Sequence, residues 1–513
     1  MSLTRSTMSA IRFGYGIRPG EQAPDGADAL LAQLDDGAQA KLRFPAEGID
    51  GRYATYAEFA RRAANARSPD KEKTRANMKP IRREIIRLFG ADQHARVAQS
   101  VLSPYGFQER LATFWSDHFS VSAKKQRTMY LLTPLYEAEA LRPNLAGPFD
   151  ELLHAAILHP AMLIYLDQVR SNGPNSRRGK NTGKGLNENL GRELLELHTL
   201  GVDGGYKQDD VRAAALVLTG LTVDRKTGRT EFKRQMAEPG PLTFMGKSYG
   251  SAKRSIADVE AMLIDIAARP QTAHHICRKL VIHFVSDKPP EALVAAMVDA
   301  WRASNGNLRD VYAAMLANPA AWDNAGEKAR QPYDYIVAGL RALEIPESAL
   351  AVPKKHDPAA IDDAEAPAAA AVAATAQNDM KPEMAATADL SEEEREEQAE
   401  SKAPKKRDRL RPPVNPISVR AIGRLGQPVW LPASPAGSDE SFATWISSSQ
   451  ITGRIEWAQR VASQHAGRLD PNALLKEVLR DAARDDTIKV VGQAPSRVAG
   501  TALVLASPEF NRR

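Results

Sequence analysis

Asn187-Glu188-Asn189-Leu190-Gly191-Arg192-Glu193-Leu194-Leu195-Glu196-Leu197-His198-Thr199-Leu200-Gly201 packs acids, a base, a histidine and two amides onto a segment that must also bury leucines. Leu190, Leu194 and Leu197 fall at i, i+4 and i+7, the spacing of one helical stripe. Glu188, Arg192 and Glu196 form a second line, with Asn189 and Glu193 between the two. His198 falls in the last turn, near Leu194 and Leu195. Gly201 is placed to end the helix, because glycine enters the left-handed region without a Cβ penalty. Two accounts fit these residues. In the first, Glu188 and Arg192 make an ordinary i,i+4 pair, and a charge on His198 suits the helix dipole. In the second, Glu193 and His198 face a polar cavity completed from another segment.

Working outward, the pattern stays helical. A polar loop at 171–186 precedes the central helix, and another helix runs from about Asp209 to Leu218. Before it, helices are expected over Asp25–Leu34, Tyr56–Ala66, Pro80–Phe89 and Phe107–Phe119. Asp150–Val169 is split near His159-Pro160, where proline cannot supply the helical hydrogen bond. Residues 221–250 change character, and Thr222-Val223-Asp224 with Thr230–Lys233 suggests a small hairpin around Gly228. Helices return over Ile256–Ala267, Thr272–Val285, Pro290–Ser304, Leu308–Leu316 and Pro332–Leu343. The expected fold is mainly α: a large multi-helix, bundle-like body with a small β-hairpin excursion and a long disordered insertion. Residues 1–354 form the helical N-terminal body. Residues 355–412 are the charged, Ala-rich insertion, whose scarcity of bulky apolar residues cannot offset the entropy of ordering. Residues 413–513 are a C-terminal helical part packing on the same body.

The bulk composition narrows the function classes. The chain has 513 residues, 43% of them hydrophobic and 26% charged, which fits a globular protein. Its formal net charge of +6 is mild for this length and argues against nucleic acid, which needs a concentrated basic face. No segment has the 18 or more apolar residues of a membrane span, and the N-terminus has no signal-peptide pattern, so a cytoplasmic location is expected. Cys277 stands alone and reads as a buried structural thiol. Gly179–Gly185 resembles a phosphate loop at a glance, but its spacing and the Gly after Lys184 do not match one.

A metal site on the central helix alone is disfavoured. Glu193 and His198 are five residues apart, a poorer geometry than Glu-x-x-His. The best outside contributor is Trp115-Ser116-Asp117-His118-Phe119. If its aromatic residues are buried, Asp117 or His118 lies at the core boundary and needs a partner. The enzymatic reading is a metal-assisted hydrolase. His118, His198 and Glu193 would hold an unidentified divalent metal, with Glu193, His198 and Asp117 as the catalytic set. The alternative is a non-catalytic binding or assembly protein whose polar core residues are structural. His274, His275 and His283 form a looser cluster, in which His275 and Lys279 share a face.

The motifs Phe114–Phe119, Asn187–Tyr206, Asp210-Val211-Arg212, Leu218-Thr219-Gly220, Arg278-Lys279-Leu280, Phe284–Asp287 and Ser507–Phe510 resemble a bacterial family of uncharacterised proteins, DUF1800. The resemblance covers nearly the whole chain except about 355–410. It implies a large, mainly helical fold with no established activity. It also implies export for many members, and a protein partner from a second, sulfatase-like family. This chain departs from the pattern in lacking a signal peptide. It also has Met236-Ala237 ahead of Glu238-Pro239-Gly240, where relatives often carry a histidine.

Overall fold

Asp70 starts the longest helix among the described residues, Lys71–Leu102, by accepting from the backbone N–H groups of Glu72 and Lys73 at 2.9 and 3.3 Å. This cap satisfies two of the donors that a helix start leaves orphaned. The helix then runs straight through Pro80, which is exposed, instead of starting there. A proline forfeits one hydrogen bond, and a 32-residue helix capped by Asp70 and anchored by buried side chains from Ile81 to Val101 tolerates the loss. The computed structural model describes residues 3–251, 253–323, 326–351 and 414–513; the expected insertion at 355–412 lies outside them.

The protein is mainly helical, with two small antiparallel hairpins. The first pairs Leu221 with Phe232 and Val223 with Thr230, its first strand lying one residue earlier than the expected Thr222–Asp224. The second pairs Leu242 with Tyr249 and Phe244 with Lys247, and the expected single hairpin omits it. Its turn is Met245-Gly246, with φ of 44° and 84°, the doubly left-handed geometry that matches strand twist. Methionine is a poor advertisement for such a turn, which hides it from a sequence reading.

Two apolar cores lie beneath the helices. One gathers Trp115, Phe119, Phe149, Leu190, Leu194 and Phe284. The other joins Phe89, Val97 and Val101 of the long helix to Tyr333, Tyr335, Trp430, Trp457 and Leu505. Its rim holds a buried polar network. Arg96 donates to Glu137 at 2.6 Å, Arg142 bridges Glu137 at 3.1 Å and Glu109 at 2.8 Å, and Trp430 donates its indole N–H to Glu137 at 2.7 Å. Burial opposes ionisation of Glu137, but Arg96 and Arg142 overcome it and hold the carboxyl below its ordinary range. The guanidinium groups of Arg96 and Arg142 are raised in return, despite their burial.

Candidate functional site

Two helices supply most of the site. Gly106–His118 presents Arg110, Phe114 and His118 at i, i+4 and i+8, and Pro270–Phe284 presents His275, Lys279 and His283 with the same spacing. The stripes meet antiparallel. Arg110 Nη2 lies 2.9 Å from His283 Nε2, the Phe114 and His283 rings are 5.2 Å apart, and the His118 and His275 rings are 6.4 Å apart.

The central helix enters at the His118 end. Asn189–Glu193 is α-helical, and Leu194–His198 is a wider π-helical turn. The extra residue per turn puts His198, not Leu197, below Leu194, and His198 is fully buried. The turn ends at Gly201, whose φ of 81° is left-handed. A Cβ there would lie 2.7 Å from His275 Nδ1, so glycine is required on two counts.

A helix end leaves carbonyls without partners. Here histidines satisfy two of them. His118 Nε2 donates to the carbonyl of His198 at 3.2 Å, and His275 Nε2 donates to that of Leu197 at 3.2 Å. His198 Nδ1 returns the favour by donating to the carbonyl of His118 at 3.1 Å, which lies at the end of its own helix. These bonds fix the tautomers: Nε2–H on His118 and Nδ1–H on His198. The remaining nitrogens, His118 Nδ1 and His198 Nε2, are buried without a hydrogen-bond partner.

Burial and the nearby Lys279 ammonium keep the rings neutral. They bring His198 down to about 3 and His275 down to about 4, and push His118 well below its ordinary value. Burial also lowers Lys279, against the pull of Asp117 and Glu440.

A loop from the C-terminal part closes the other side. Gly437, at φ 80°, packs so tightly on Asp117 that a Cβ would fall 2.5 Å from its carboxylate. The next backbone N–H, of Ser438, donates to both Asp117 oxygens at 3.0 Å. Burial nevertheless raises Asp117 to about 6. Glu440 accepts from His283 Nδ1 at 2.5 Å, with Lys328 Nζ at 3.5 Å and Arg513 Nη2 at 3.7 Å. His283 and its hydrogen bond, then Lys328 and Arg110, bring it down to about 2 against the cost of burial.

The structure thus brings His118 and His198 together, while Asp117, the residue before His118, is held by the loop at Gly437. Glu193 stands apart from the pair. Its perturbing neighbours are Glu196 and Arg192, it in turn raises Tyr165 and Tyr206, and neither histidine hydrogen-bonds it. Burial and then Glu196 raise its carboxyl above the ordinary value. Among the described residues, no three His, Cys, Asp or Glu side chains are grouped as a metal ion would require. Cys277 is buried and its thiol is pushed up to about 12, as expected of a structural thiol. Sequence reasoning grouped His275, Lys279 and His283 loosely without giving them a role, and it missed Glu440. The i, i+4, i+8 spacing of the first three was the available signal; Glu440 arrives from more than 150 residues away and had none.

No helix among the described residues is long and apolar enough to cross a membrane. No curated protein and no solved structure is detectably similar to the chain. The profile described as "Protein of unknown function (DUF1800)" matches residues 9–512. That match takes in both helical stripes, the π-turn and the loop at Gly437, and with it the chain belongs to the DUF1800 family.

Proposed function

We propose that this chain is a non-catalytic binding or assembly protein whose polar centre is structural. The observation that carries this reading is the use of the histidines as helix caps. His118 and His275 spend their donors on the carbonyls of His198 and Leu197, and His198 spends its own on His118. Groups tied to backbone at a buried helix junction hold elements in register. A general base or acid needs reach to a substrate proton. The partner in this reading is a protein, and the family resemblance points to the sulfatase-like proteins as the first class to try.

A second reading is favoured by one specific observation. His118 Nδ1 and His198 Nε2 are neutral, buried and without a protein partner, as ligating nitrogens must be. In that reading His118, His198 and Glu193 hold a divalent metal, Asp117 orients a histidine, and the reaction is hydrolysis. It requires Glu193 to turn toward the pair.

Metal content separates the two. The purified, untagged full chain and its Glu193→Ala/His198→Ala variant are compared by plasma mass spectrometry, without chelator treatment. The structural reading expects substoichiometric metal in both. Near-stoichiometric metal in the wild type that is lost in the variant overturns it, and a hydrolase screen then follows.

A further inference from the structure

One turn along the helical stripe from the histidines, the charge balance changes. Arg110, Arg330, Arg454 and Arg513 are all buried, at no more than 3% exposure each, near the two carboxylates of Asp334 and Glu440. Asp334 is ion-paired to Arg110 and accepts from Arg513 Nη1 at 2.9 Å. Arg454 spends its two terminal nitrogens on the carbonyl of Arg330 at 2.6 Å and on Asn511 Oδ1 at 3.1 Å.

Arg330 itself has no such partner. Its guanidinium carbon lies over the Phe510 ring at 4.8 Å from the ring centre, and its buried Nη1 has no acceptor. Its neighbours are two more guanidinium groups, those of Arg110 and Arg454, and the already shared Asp334. A buried guanidinium offers five donors and cannot shed its proton at neutral pH, so it needs an acceptor. The terminal nitrogens of the fork lie against Gly16, whose φ is 79°: a Cβ there would come within 3.2 Å of Arg330 Nη2, so a side chain at this position would crowd the fork. Gly16 itself is half-buried, at the boundary between the fork and the surface.

We propose that Arg330, flanked by Arg110 and Arg454 and bordered by Gly16, is the binding site of a small inorganic oxyanion of the phosphate or sulfate class. Planar, bidentate recognition of such groups is what an arginine fork does best. The surplus of positive charge over Asp334 supplies the selectivity for an anion, and the tight surroundings limit its size. This inference is independent of the function proposed above and of any metal.

The test uses the full chain, freed of phosphate and sulfate by dialysis into chloride. Calorimetric titration with inorganic phosphate, sulfate and acetate at matched ionic strength comes first. Saturable 1:1 binding of phosphate or sulfate is expected, and the stronger of the two names the ion; acetate is expected to bind more weakly. A ligand that binds only the folded state raises the unfolding midpoint with the logarithm of its concentration. Millimolar oxyanion is therefore expected to raise the wild-type midpoint above its chloride value. Arg330→Met should remove both signals, and Arg330→Lys should weaken binding about tenfold, because lysine keeps the charge but loses the fork. Equal behaviour of the wild type in phosphate, sulfate and chloride overturns the proposal. So does undiminished phosphate binding by Arg330→Lys or Arg330→Met. If Arg330→Met does not fold, the wild-type titration and Arg330→Lys decide.

Discussion

The network at Glu137 and the network at Asp334 are made of the same groups at similar depth, yet they differ in charge balance. Around Glu137 and Glu109 two arginines face two carboxylates, Trp430 adds a donor, and Arg96 and Arg142 hold their protons more firmly than free arginine. Around Asp334 and Glu440 four arginines and Lys328 face two carboxylates, and burial brings both Arg330 and Arg454 down to about 10. The first arrangement is complete within the protein. The second carries a surplus of positive charge, and its Arg330 Nη1 is buried without a protein acceptor. Depth alone therefore does not mark a buried charge as structural; the match between donors and acceptors does.

Breaking the balanced network should have the largest effect. Glu137→Gln leaves Arg96 and Arg142 short of a charge, and removing one partner of a buried pair costs about 3–5 kcal/mol. Equilibrium denaturation in urea is expected to show that loss.

The histidines come next. Their folded pKa values lie below the unfolded value of about 6.5, so the unfolded chain binds more protons between about 3 and 6.5. Stability therefore rises with pH across that window and is lost on acidification. Each fully buried histidine contributes roughly 1.4 kcal/mol per pH unit, or about 2 kcal/mol between pH 6.5 and 5. Denaturation at pH 7 and pH 5 should show this loss, and His198→Asn should reduce it by about that amount. An identical pH dependence in the variant would contradict the neutral, buried state of His198.

The sharpest comparison reverses the sign. In chloride alone, Arg330→Met should be neutral or stabilise by about 1 kcal/mol, because it replaces an unpaired buried charge by an apolar chain. A loss like that of Glu137→Gln would mean that the two networks are equivalent after all.

The smallest effect is expected at Asp117, whose side chain is only partly buried. Its folded pKa of about 6 lies above the ordinary 3.8, so its contribution is fully present below 3.8 and is lost as pH rises through 6. Asp117→Asn should remove that decline. The lost charge and the weakened bond to Ser438 oppose each other, leaving a change of about 1 kcal/mol or less at pH 7. The difference between variant and wild type at pH 4 and pH 7 measures it.

Much of the fold was legible because period and caps agree. His159-Pro160 splits its helix as expected, with the His159 ring accepting from Ala161 N–H at 3.1 Å, and Asn307 caps Leu308–Ala317. Pro80 misled because an N1 preference is weaker than a cap ten residues earlier. Residues 177–182, inside the polar loop, form a short helix capped by Ser176, a local choice that composition conceals. At the site, His118 and His198 were legible as polar groups at a core boundary. Their actual partners were not, because they bond to backbone carbonyls, and a carbonyl has no letter in the sequence. Glu193 immediately precedes the π-helical residues, and the i+4 arithmetic that placed it beside the leucine stripe says nothing of where His198 points after the turn widens.

That widened turn has a consequence for how the chain tolerates change. A π-turn is an α-helix carrying one surplus residue, and each residue advances a helix by about 100°. Deleting any single position between Leu194 and His198 would leave a sequence that still reads as a good amphipathic helix. It would nevertheless swing Thr199, Leu200 and Gly201 about a quarter-turn around the axis, away from His275. The segment should therefore accept many substitutions yet almost no change of length, so that its length, more than its letters, is what selection must preserve.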